Sequence, residues 1–183
     1  MLKPFRHEAA VEKQLRTMDT SRFDVRIVNP HGTVVEQRDE LFLAQIKDIL
    51  EWLNEKNQKG NRIEFRPYGE HGLTLVSGLT HDQVQQAKLS DCEPALIVQY
   101  APNRFQIWLK HDRKLSAEAA ARVSAHLCRQ LGGDCAASSW DSFGYLAGYT
   151  LPGDEGTFRV ELVAHSGEVF SCATALNDRL AGD

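Results

Sequence analysis

Apolar positions along this chain switch repeatedly between a spacing of two and a spacing of about 3.6, which marks strands alternating with amphipathic helices. Val11, Leu15 and Met18 give a narrow helical stripe over Glu8 to Met18. Arg22 to Val28 then alternates as a strand, and Asn29-Pro30-His31-Gly32 is turn chemistry leading to a second strand near Thr33 to Gln37. Leu41, Ala44, Ile46, Ile49, Leu50 and Leu53 line one long helix that stops at Asn57 to Gly60, where glycine supplies a left-handed cap. Strands follow at Arg62 to Tyr68 and Gly72 to Leu79, joined by a short glycine-bearing loop. Thr80 and Gln83 have capping-box spacing and open a helix to about Leu89.

Ala95 to Gln99 and Arg104 to Lys110 form a hairpin across Pro102-Asn103, and Ser116 caps an alanine-rich helix that Gly132-Gly133 ends after Leu131. Beyond it the pattern weakens. Phe143 to Thr150 is small and aromatic, Thr157 to Ala164 alternates, and a short helix follows Phe170. Strands joined mostly by hairpins predict an α/β fold of the α+β type: a mixed, mostly antiparallel sheet with helices on one side and the other face free for function. With no linker, repeat or low-complexity segment, residues 1–183 are expected to form a single domain.

Composition narrows the setting. The usage of 42% hydrophobic and 25% charged residues is enough to bury a core. The opening MLKPFRHEAAVEKQ carries no apolar stretch of signal or membrane-span type, so a soluble, cytoplasmic protein is expected. Cys92, Cys128, Cys135 and Cys172 form no C-x-x-C pair and read as reduced thiols. A net charge of −4 excludes a global electrostatic footprint for nucleic acid, so any such contact has to come from a local patch. The hairpin offers one: alternation puts Arg104, Gln106, Trp108 and Lys110 on one face and Phe105, Ile107 and Leu109 on the core face. Arg62 and Arg66 alternate in the same way on a neighbouring strand. An aromatic among cations suits base stacking and phosphate contact, and equally a solvated strand face. The basic run Lys110 to Lys114 reads as solvated loop.

Several stretches are more specific: Arg22-Phe23-Asp24, Arg66-Pro67, His71 to Val76, Glu93 to Val98, Ala101 to Lys110 and Leu146 to Thr150. In these, over residues 12–150, the chain resembles the primases of broad-host-range mobilisable plasmids, the RepB-like branch of the archaeo-eukaryotic primase superfamily. Residues 151–183 extend the same domain. The resemblance implies a primase-polymerase-like core in which the strand carrying Leu73 to Val76 runs into two adjacent aspartates. With a third after the long helix, these hold divalent metal. Here the pair is Ser77-Gly78, and the third position survives as Asp134. Ser139 and Tyr145 stand where the family places a further acid and an arginine, and Leu151-Pro152-Gly153 replaces a basic motif.

Two-metal phosphodiester synthesis needs several anionic oxygens, which serine and glycine do not supply. The expected function is therefore that of a degenerate, non-catalytic primase domain of a mobile element, with no cofactor, binding single-stranded nucleic acid or a replication or transfer protein. Two alternatives stay open. One is an active primase or nucleotidyltransferase using Mg²⁺ or Mn²⁺ at an unusual site that includes Asp134, with His71, His81 and Asp82 as conceivable further ligands. The other is a protein-interaction or inhibitor module. His81 and Asp82 have a plainer reading as first-turn helix residues, and Asp134 as a polar residue after a glycine cap.

Overall fold

The computed structural model describes residues 7–90, 92–153, 156–170 and 173–182. In chain order the elements are α1 (Glu8–Thr17), β1 (Arg22–Val28), β2 (Val34–Phe42), α2 (Leu43–Asp48), α3 (Leu50–Gln58), β3 (Arg62–Pro67), β4 (Leu73–Leu79) and α4 (His81–Leu89). Then come β5 (Leu96–Ala101), β6 (Arg104–His111), α5 (Ala117–Leu131), β7 (Gly144–Tyr145), β8 (Thr150–Gly153), β9 (Gly156–Arg159), β10 (Glu161–Ala164), β11 (Val169–Phe170) and α6 (Ala173–Ala181). The fold is mixed α+β and mostly antiparallel.

The strands divide between two principal sheets. The first has the order β2-β1-β3-β7, and the second places β6 between β5 and β4, with β10 outside β5. The short β11 runs parallel to the end of β6, and β8 and β9 form a separate ribbon. The chain thus leaves the first sheet between β3 and β4, which the sequence pattern joins by a short glycine-bearing loop. Gly69, at φ +72°, supplies a left-handed turn in that connection. The long helix read between Leu41 and Gly60 is also interrupted, at Ile49 (φ −104°, ψ 5°). Periodicity hides the break because Ile46, Leu50 and Leu53 all reach one core.

Two apolar layers hold the sheets. Ile97, Phe105, Ile107 and Leu109 of the second sheet meet α5 through Ala119, Val123, Leu127 and Leu131, as their spacing predicts. On the opposite face, Leu75, Leu96 and Trp108 pack against Phe65 and Ile63 of the first sheet and Val11 and Leu15 of α1. The second sheet is therefore covered on both sides, and the face expected to be free is interior.

Helix termini follow sequence chemistry. Thr80 Oγ1 accepts from Gln83 N while Gln83 Oε1 accepts from Thr80 N, and Ser116 Oγ accepts from Ala119 N at the start of α5. At the other end of α5, Gly132 adopts φ +72° and the chain doubles back until Cys135 lies beside Cys128, Cα to Cα 5.8 Å, where the two form a disulfide. That corrects the expectation of reduced thiols for this pair, whose proximity depends on the helix cap and not on a C-x-x-C spacing. Cys92 is buried, and Cys172 lies outside the described residues. Among the described residues no helix is long and apolar enough to cross a membrane.

Candidate functional site

β4 ends in Ser77-Gly78, and the turn after α5 brings Asp134 against it. Asp134 N donates to Ser77 O at 2.8 Å, and Leu75 N donates to Ser139 O at 3.1 Å, so residues 134–139 cover the outer edge of β4. Ser77 is 4% exposed and hydrogen-bonded through both backbone and side chain. Its N–H donates to Ser138 Oγ at 2.9 Å, and its Oγ accepts from Gln106 Nε2 at 3.1 Å. Gln106 Oε1 in turn accepts from Tyr145 N at 2.9 Å, tying β7 to β6. Gly78 sits at φ +78° in a register shift between β4 and β6, where a Cβ would lie 2.9 Å from Asp134 Cβ. Asp134 Oδ1 accepts from Ala136 N at 3.0 Å.

These donors do not fit a divalent ion. Asp134 supplies one carboxylate beside a glycine and a serine whose hydroxyl already accepts a hydrogen bond, and a hard cation that keeps its waters needs more anionic oxygen than that. Among the described residues no group of three or more His, Cys, Asp or Glu is placed to hold a metal. His81 N donates to Asn103 Oδ1 and its ring lies 6.1 Å from that of Phe105, while His71 is at the opposite end of β4, accepting from Leu73 N. The conceivable ligand set with Asp134 is not assembled.

Beside Ser77 opens a cleft of about 430 Å³, lined by Arg26, Glu64, Arg66, Gln106, Phe143 and Tyr145 among others. Its charged wall is the outer face of the first sheet. Antiparallel pairing sets Asp24 opposite Arg66 and Arg26 opposite Glu64, with Val25, Phe65, Ile27 and Ile63 turned into the core. Arg66 Nε binds Asp24 at 2.9 Å and its Nη1 donates to Asp141 O at 3.0 Å. Glu64 takes Arg26 at 2.7 Å and Arg62 at 3.4 Å, and Arg22 pairs with Glu40. Two of these guanidiniums approach the ring of Phe143, with Arg26 Cζ 3.9 Å and Arg66 Cζ 4.6 Å from its centre. Tyr145 lies 5.1 Å from Tyr100 ring to ring, and burial, helped by Glu64, pushes its phenol above the ordinary value.

Residues 38–176 match the RepB DNA-primase N-terminal domain. The chain belongs to that family. It is 30% identical over 152 residues to mobilization protein A of Escherichia coli, a match that covers 82% of this chain and 21% of that relative. Among solved structures it resembles primase RepB′ with a TM-score of 0.89 at 27% identity, over 97% of this chain and 62% of that one. The catalytic domain of primase RepB′, solved in complex with initiator DNA, gives 0.89 at 28% identity over 97% and 94% of the two chains. The primase-polymerase domain of cyanophage S-2L gives 0.69 at 12% identity over 97% and 100%, a likeness of fold alone.

In this RepB primase domain the residues expected to bind nucleic acid separate. Arg66 and Gln106 line the cleft, Arg62 lies one pair back beside Glu64, and the exposed Arg104 reaches Gly78 O at 3.3 Å on the rim. Lys110 pairs with Asp19 at 3.2 Å beside a different cavity. Trp108 is a correction: it is fully buried, its ring 5.8 Å from Phe65, and it offers no face for stacking. The alternation that groups it with Arg104 and Lys110 is right, but the first sheet covers the middle of that face. Sequence reading missed Arg26, Glu64 and Phe143. The available signal was the charge alternation Arg22-x-Asp24-x-Arg26 and Arg62-x-Glu64-x-Arg66, two strands each with a polar face.

Proposed function

We propose that this RepB primase domain does not synthesise primers and instead binds single-stranded nucleic acid in the cleft between Arg26, Arg66 and Phe143. The observation that carries the reading is the end of β4. Where the resemblance calls for an aspartate pair, the Ser77 hydroxyl is held by Gln106 and the space beside Gly78 is filled by Asp134. A single carboxylate already accepting a backbone N–H leaves the two-metal route short of ligands. An active primase built on Asp134 is disfavoured on the same ground.

Binding is supported by the chemistry of the wall and by the initiator DNA bound to the related RepB′ domain. Phe143 presents a ring among guanidiniums, the combination that stacks bases and contacts phosphates. Four arginines here share three carboxylates (Glu40, Glu64, Asp24), so phosphates have to compete with internal ion pairs and the affinity is modest.

The test pairs two assays on purified protein. With Mg²⁺ or Mn²⁺, nucleotides and single-stranded template, no primer forms above background. A labelled single-stranded oligonucleotide binds at low salt. Phe143→Ala weakens it by about 1–3 kcal/mol with little change of salt slope, whereas Arg66→Ala lowers the slope. Primers abolished by Asp134→Ala would refute the first half of the reading. Binding indifferent to both substitutions would refute the second and favour a replication or transfer protein as partner.

A further inference from the structure

At the far end of β4, about 13 Å along the strand from Ser77 at roughly 3.3 Å per residue, lies a second cavity of about 820 Å³. One wall is the end of α1 with the turn Asp19 to Ser21. The other is the segment Lys110 to Lys114, and His71, Gly72 and Leu73 lie between them. This segment read from sequence as solvated loop, and nothing in the cleft uses it.

Its charge differs in kind from that of the cleft. There every arginine is in an ion pair, whereas here Arg113 and Lys114 are exposed and make no ion pair or hydrogen bond among the described residues. Arg16 and Lys110 add charge at the rim, partly offset by Glu12, Asp19 and the exposed Asp112. The backbone carrying these cations is fixed. His111 N donates to Gly72 O at 2.7 Å, and Arg113 O approaches so closely that a Cβ on Gly72 would lie 2.6 Å from it. The cations therefore project from a held strand end.

Two imidazoles border the same space. His71 Nδ1 accepts from Leu73 N at 3.1 Å, and His111 Nε2 hydrogen-bonds Thr74 Oγ1 at 2.8 Å. His111 Nδ1 is buried without a partner among the described residues, although buried polar atoms are rarely left so, whereas His71 also bonds the backbone of Trp140. Met18, Phe23 and Leu43 make part of the wall apolar. A site with unpaired cations at its mouth, an unspent imidazole nitrogen beside it and an apolar flank matches an anion carried on a larger organic body.

We propose that this cavity binds a phosphate group, carried by a free nucleotide or by a nucleic-acid strand, with Arg113 and Lys114 as its charged contacts. It is separate from the cleft and does not depend on the reading given to that site.

Calorimetric titration with inorganic triphosphate at low salt tests it, with ATP and a short oligothymidylate as competing arms. Triphosphate binds saturably. The double substitution Arg113→Ala/Lys114→Ala, at exposed positions that leave the fold alone, weakens it about tenfold or more, the effect of losing at least one charge-assisted contact. Arg66→Ala in the cleft leaves it unchanged. Displacement by ATP identifies a nucleotide site, and displacement by the oligothymidylate a strand site. The proposal is overturned if none of the three ligands binds, or if triphosphate binding survives the double substitution or is lost equally with Arg66→Ala.

Discussion

Acid should destabilise this domain well above the range in which carboxylates titrate, through His71 and His111. Burial, the largest cause for both, pushes each imidazole down to about 4. For His71 the neighbouring charges of His111 and Arg66 add to it, opposed by Asp141 and a hydrogen bond with the backbone of Trp140. In the unfolded chain both return to about 6.5. Between these values the unfolded state binds more protons, so stability is complete above about pH 6.5 and is lost as pH falls toward 4. At pH 5 the linkage amounts to about 2 kcal/mol per histidine, and to somewhat less than twice that for the pair because part of the His71 shift comes from His111. With a urea slope near 2 kcal/mol/M, the unfolding midpoint falls by roughly 1.5–2 M between pH 7 and pH 5. The matched control is His71→Asn/His111→Gln, whose amides can replace the bonds to Leu73 N and Thr74 Oγ1 without titrating. Its midpoint changes far less over the same interval. A wild-type midpoint that moves by less than about 0.5 M, or a control that falls as far as wild type, would refute the reasoning.

Trp108→Ala empties a fully buried site and should cost about 3–5 kcal/mol, read as a lower thermal midpoint. The milder Trp108→Phe should leave oligonucleotide affinity and its salt slope unchanged, and a selective loss of affinity would show that the ring is accessible. Gly78→Asp should restore no primer synthesis and should destabilise the domain by at least about 1–2 kcal/mol, since the left-handed backbone and the close Asp134 Cβ both oppose a side chain. Gly78→Ala shares that steric cost, and a Gly78→Asp protein as stable as wild type in urea would mean that the turn relaxes freely.

The sequence was legible where local chemistry decides structure. The Thr80-Gln83 box, the Ser116 cap and the Gly132 turn are local bonding patterns, and the α5 stripe Ala119, Val123, Leu127, Leu131 is a local period. It was not legible where a remote partner decides. β2 runs to Phe42 through mostly exposed positions because β1 pairs with it, not because its own residues alternate. The segment from Gly144 to Thr150 satisfies much of its backbone through side chains far away in sequence. Gln14 takes Ala147 N and gives to Tyr145 O, Asn57 takes Thr150 N and gives to Thr150 O, and Gln106 takes Tyr145 N. No period in residues 143–150 encodes those bonds. Trp108 is the sharpest case: alternation fixes which face of β6 it occupies, but whether that face meets water depends on where the first sheet lies.

The same dependence bears on the end of β4, at Ser77 and Gly78. Like charges about 4 Å apart repel by about 4 kcal/mol at the effective dielectric typical near a protein surface, so clustered carboxylates need a cation to be stable. At the end of β4 neutral bonds run from Tyr145 N through Gln106 to Ser77 and from Ser77 N to Ser138, while Asp134 spends one oxygen on Ala136 N. The carboxylate of Asp134 lies next to a glycine, and that of Asp141 in the same cleft accepts from Ser139 Oγ at 2.6 Å. The strand end is therefore satisfied by the protein alone, and the arginine wall opposite it carries its own carboxylates in Asp24 and Glu64. Such a cleft can keep its shape without metal, which is the physical condition the proposed binding role requires.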